Sequence, residues 1–144
     1  MLSLEERETV VREFSEAVRE RFPETNLYNV LLFGSFLTEN YTEASDIDLA
    51  VYAPDGRLRH RIRDFVLDYF EERKMACDVI EICTDEEKAV NLEAILTHEV
   101  TVTDYAPEEL IAYAGKLIEI YGYHPMKKVC ECMSAEVGLN DSHW

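Results

Sequence analysis

Basic residues are scarce in this chain of 144 residues: 14 Lys and Arg stand against 30 Asp and Glu, a formal net charge of −16. A field of that sign repels phosphate backbones, so direct binding to DNA or RNA is not expected. The few cations are also unevenly placed. Ten of the fourteen lie in residues 1–74, and only Lys88, Lys116, Lys127 and Lys128 follow. Any basic surface therefore belongs to the first half. Long apolar runs are missing as well. No stretch approaches the length of about 20 residues that spans a bilayer, and the opening MLSLEERETVVREF is charged and amphipathic, without the apolar core of a secretion signal. Cys77, Cys83, Cys130 and Cys132, with no such signal, read as reduced thiols. A cytoplasmic protein with no membrane contact is the expectation. Repeats and low-complexity segments are absent too.

What is present suits one domain. The apolar fraction of 47% is that of a globular chain able to bury a core. We expect a single domain over 1–121 and a C-terminal tail over 122–144, whose residues lack a clear period. Within that tail Cys130-x-Cys132 and His124 do not have the spacing of a structural zinc site and read as chance neighbours.

Ser3-Leu4-Glu5-Glu6 has capping-box spacing, and Val10, Val11, Phe14 and Val18 continue at helical intervals, so a helix should run from there and stop before Pro23. Leu27 to Phe33 is a buried strand ending at Gly34-Ser35, where a tight turn and a short helix should follow. Asp46 to Tyr52 is a second strand, closed by Pro54-Asp55-Gly56. Leu58 to Phe70 places its apolar residues on one helical face. Cys77 to Ile82 is a third strand, and Thr84 or Asp85 could cap a helix over 86–97. Val100 to Val102 adds a short edge strand, and Pro107 opens a last helix running to about Tyr121. The order implies an α+β fold: a mixed sheet of three to four strands with helices packed on it.

The chemistry sits in residues 30–52, VLLFGSFLTENYTEASDIDLAVY. A strand that ends in Gly-Ser leaves free N–H groups at the turn, and with the Ser35 hydroxyl these suit a phosphate. Gly34 lets the backbone approach a ligand without a Cβ in the way. Asp46 and Asp48 are two apart on a strand, so both carboxylates project from one face while Ile47, Leu49 and Val51 enter the core. Side by side they repel, and a hard divalent cation removes the conflict. Mg²⁺ commonly takes one or two carboxylates plus substrate phosphates. Asp78, flanked by Val79 and Ile80, completes the set if its strand neighbours that of Asp48; Glu81 points to the opposite face.

Gly34-Ser35, ten residues and then Asp46-Ile47-Asp48 resembles the signature of the DNA polymerase beta-type nucleotidyltransferase superfamily. The length and the DVIEI strand are similar to the minimal nucleotidyltransferases (MNT) in particular, over roughly residues 4–104. The resemblance implies the nucleotidyltransferase fold and a two-metal transfer of a nucleoside monophosphate from ATP or another NTP. Gly34 and Ser35 would hold the triphosphate. Asp46 and Asp48 would bind both Mg²⁺ ions, with Asp78 as the third carboxylate, metal-binding and catalytic. Where family members often carry an arginine after Gly-Ser, this chain has Phe36, Leu37 and Thr38. Arg57, Arg59, Arg61 and Arg63 read as the solvated face of an amphipathic helix, and would compensate only if they faced the site.

With one domain expected over these residues, the acceptor hydroxyl is expected to come from a protein or from a small molecule held by a partner. The resemblance further implies an antitoxin whose partner is a HEPN-type toxin with an acceptor tyrosine; an oligomer is left open. A binding module of the same fold that neutralises a partner by contact, and a nucleotide-sensing subunit, are the competing readings.

Overall fold

The computed structural model describes residues 1–122, so the tail expected over 122–144 lies outside the described residues except for Gly122. Helix α1 (Leu4–Arg21) begins at a capping box. The Ser3 N–H donates to Glu6 Oε1 at 2.9 Å, and the Glu6 N–H donates to Ser3 Oγ at 3.1 Å. Strands β1 (Asn29–Phe33) and β2 (Ile47–Tyr52) follow, then helix α2 (Gly56–Glu72), which starts earlier than its apolar stripe because Asp55 caps it through the Arg57 N–H. Strand β3 (Cys77–Ile82), helix α3 (Ala89–Thr97), strand β4 (Val100–Thr101) and helix α4 (Glu108–Tyr121) complete the order.

The four strands form one mixed sheet in the order β3-β2-β1-β4. β1 runs antiparallel to β2 and β4, and β2 runs parallel to β3 with α2 as the crossover. This is the α+β architecture expected. Strand parity decides which side chains face which helices. Ile47, Leu49 and Val51 join Val11, Phe14, Val18, Ile62, Val66 and Phe70 beneath α1 and α2. Leu31, Phe33, Ala50, Tyr52 and Ile82 face the other way and pack with Leu92, Leu110, Tyr113 and Leu117 of α3 and α4. Helices therefore cover both faces, which is why β1 is buried along its whole length.

Two expectations fail. No helix follows Gly34-Ser35: residues 34–37 are turns, closed by Thr38 N–H donating to Ser35 O at 3.0 Å. Neither Thr84 nor Asp85 caps α3, which begins only at Ala89. The intervening segment is tied to α4 instead, the Thr84 hydroxyl donating to Glu109 at 3.2 Å and the Tyr113 hydroxyl to Glu86 O. Among the described residues no helix is long and apolar enough to cross a membrane.

Candidate active site

The carboxylates gather where β1 ends and β2 and β3 begin. Asp48 faces Phe33 across the antiparallel pair and Asp78 across the parallel one, in register with both. Neighbours in register project from the same face of a sheet, so the Asp48 and Asp78 carboxylates stand side by side. Asp46 stands one residue ahead of β2, exposed, with the parity of Asp48. Ile47 N–H donates to Ala76 O at 3.0 Å, which carries the β2–β3 pairing to the edge of the site.

Asp48 is half-buried and is pushed up to about 6, first by burial and then by the charges of Asp78, Asp46 and Glu93. Burial, with Asp78 and Asp46, also raises the Cys77 thiol. Glu93 comes from α3, across the face that Asp48 shares with Ala50, and was not anticipated from sequence. Its one available signal is that it is the sole charge in AVNLEAILT.

Gly34 closes the site from the β1 side. Its φ is +80°, and a Cβ there would lie 2.1 Å from Asp48 Oδ2. Only glycine fits, for backbone and for space. The Ser35 hydroxyl donates to Ser45 Oγ at 3.1 Å, and Ser45 Oγ accepts from the Thr42 N–H at 2.9 Å. Ser35 is thus held beside the residue that precedes Asp46. The loop between these points, Phe36 to Tyr41, is pinned from below by Arg7 of α1, whose Nη1 donates to Phe36 O at 2.7 Å.

The arginines of α2 do not join the site. Arg59 and Arg63 bind Glu81 at 3.0 and 2.8 Å, with His60 on the same carboxylate at 2.9 Å. Glu81 lies three residues after Asp78 and so on the opposite face of β3. Arg57 and Arg61 are exposed, as a solvated helix face requires, and Arg61 lies over the Phe22 ring.

The donor set fits a hard divalent cation. Asp46 and Asp48 are two carboxylates whose mutual repulsion a cation relieves, and Gly34 leaves the space beside Asp48 free of a Cβ. Among the described residues no group of three or more His, Cys, Asp or Glu could hold a metal ion. Mg²⁺ takes one or two carboxylates and completes its shell with phosphate and water, so a pair of carboxylates is enough for it.

An α+β domain with a glycine turn packed on a carboxylate-lined sheet end is the class of protein defined here. The chain belongs to the nucleotidyltransferase domain family, whose model matches residues 11–114. It is similar to the poly(A) RNA polymerase cid14 of Schizosaccharomyces pombe, 36% identical over 80 residues, which are 54% of this chain and 11% of that protein. The chain thus matches about a tenth of the length of that relative. Among solved structures, a chain of the toxin–antitoxin MntA–HpeT superposes with a TM-score of 0.49 at 16% identity, covering 89% of this chain and 98% of that one. A chain of the tri-AMPylated Shewanella oneidensis HEPN toxin in complex with MNT antitoxin superposes at 0.48 and 17% identity, covering 92% and 99%.

Proposed function

We propose that the chain is a metal-dependent nucleotidyltransferase that moves a nucleoside monophosphate, AMP from ATP, to a hydroxyl of a protein or small-molecule acceptor. One observation carries the reading: Asp48 stands in register with Asp78 on β3 while Gly34 packs against its carboxylate with no room for a Cβ. Family membership supports it.

Asp46 and Asp48 would hold Mg²⁺, which when bound supplies positive charge for the triphosphate and for the leaving pyrophosphate. The remaining work belongs to the chain. The amides of the Gly34-Ser35 turn and the Ser35 hydroxyl, released from Ser45, bind and orient the phosphates. Asp78 accepts the proton of the acceptor hydroxyl. The acceptor oxygen then forms a bond to the α-phosphorus, the bond from that phosphorus to its bridging oxygen breaks, and the electron pair leaves on pyrophosphate. By its sequence resemblance the chain acts as the antitoxin of a two-gene module, with a HEPN-type toxin as partner and acceptor.

A second reading, inhibition of a partner by contact alone, is favoured by one observation: positions 36–40 carry no cation and Glu81 holds Arg59 and Arg63 away. The two are separated by incubating the protein with Mg²⁺, labelled ATP and its neighbouring gene product. The enzyme reading expects label on the partner that disappears in Asp46→Asn and Asp48→Asn. Inhibition that survives both substitutions, without label, overturns it in favour of contact.

A further inference from the structure

Arg7 is a buried cation in a molecule dominated by negative charge. It is only 9% exposed. Its Nη1 donates to Phe36 O at 2.7 Å and to Thr38 O at 3.5 Å, and its guanidinium carbon lies 4.0 Å from the centroid of the Tyr41 ring. Its Nε is buried without a hydrogen-bond partner. Two main-chain carbonyls and one aromatic face make up this set; none is a carboxylate. A buried charge is costly unless it is compensated, and a chain with 30 acidic residues had every opportunity to supply a counter-ion.

All of these contacts fall on the loop that follows Gly34-Ser35. With the carbonyls of Phe36 and Thr38 turned toward Arg7, the peptide planes of that loop are set from behind. The guanidinium charge is softened by dipoles and a ring but not cancelled, and partial burial lets it act farther than it would in water. The loop brings no cation of its own between residues 36 and 40.

We infer that Arg7 is a positioning residue for the polyphosphate of the nucleotide: it shapes the loop behind the Gly34-Ser35 turn and supplies that turn with positive charge. The inference rests on the nucleotide-transfer reading of the same site. It requires that the benefit of Arg7 grow with the number of phosphates. A merely structural pin serves every nucleotide alike.

The test is calorimetric titration of the full chain with Mg²⁺ and, in turn, AMP, ADP and a non-hydrolysable ATP analogue. Arg7→Gln keeps a polar side chain of shorter reach and removes the charge; it should weaken the ATP analogue about tenfold, ADP less, and AMP by no more than about twofold. Arg7→Lys keeps the charge but gives up the planar guanidinium over Tyr41, so it should lose less ATP-analogue affinity than Arg7→Gln. A folded Arg7→Gln variant with unchanged ATP-analogue affinity, or with equal losses for the three ligands, overturns the inference. If Arg7→Gln does not fold, Arg7→Lys decides. Preserved order and affinity support the charge role, and equal loss of all three nucleotides overturns it. A parent chain that binds none of them sinks the nucleotide reading itself, a failure distinct from that of Arg7.

Discussion

At the scale of residues, the site is a set of groups that destabilise one another in the absence of a ligand. Asp48 is pressed by burial and by three acidic neighbours, so its charge is unfavourable in the metal-free fold. Asp48→Asn keeps the shape and removes that charge. In EDTA at neutral pH its melting temperature should rise by about 2–4 °C, the shift of roughly 1 kcal/mol in a domain of this size, while the stabilisation of the parent chain by Mg·ATP disappears. A lower melting temperature in EDTA would show that the carboxylate helps to hold the fold. Gly34 carries the opposite requirement. Gly34→Ala faces a left-handed backbone cost of about 1–2 kcal/mol and a collision with Asp48 Oδ2 besides. Urea unfolding should show the larger loss in the parent background and the smaller one beside Asp48→Ala. A double-mutant cycle with no coupling would mean that the contact is relaxed in solution.

At the scale of elements, α2 and β3 are joined by one carboxylate serving two guanidinium groups and an imidazole. Glu81 has a side chain 15% exposed and binds Arg59, His60 and Arg63. Glu81→Gln leaves Arg59, itself 14% exposed, beside like charges. The expected cost is about 1–3 kcal/mol in denaturant unfolding. Because Glu81 and Asp78 lie on opposite faces of β3, affinity for Mg·ATP should stay within about twofold once the variant is folded. A large loss of nucleotide affinity would place the α2 arginines in the binding machinery after all. The loop after Gly34-Ser35 is served by α1, through the Arg7 hydrogen bond to Phe36 O. α1 packs beneath the end of the sheet where the turn emerges, and Arg7 stands near its start.

At the scale of the whole molecule, the charge of −16 sets this chain apart from what the name of its poly(A) polymerase relative suggests. Long-range repulsion opposes a polyanion, whereas under the proposed function a single triphosphate would be met locally by turn amides and a cation. A labelled oligo(A) RNA at 100 mM salt should therefore bind with a Kd weaker than about 100 µM by fluorescence anisotropy. Binding in the low micromolar range would make RNA a candidate acceptor and remove charge as an argument for a protein one.

The line between local pattern and tertiary placement runs through the same residues. The capping box at Ser3, the strands at Ile47–Tyr52 and Cys77–Ile82 and the turn at Gly34-Ser35 were all legible in the chain, because period, parity and capping depend on residues a few positions apart. The sequence could say that Asp78 opens a strand, but not that this strand is β2's parallel neighbour and in register with it. That choice follows from burying both faces of the sheet at once. The missing helix after Ser35, the docking of residues 83–88 on α4, the arrival of Glu93 from α3 and the burial of Arg7 beneath the loop were decided the same way. Each depends on a contact between segments far apart in the chain, and only close packing of the whole fold selects such contacts.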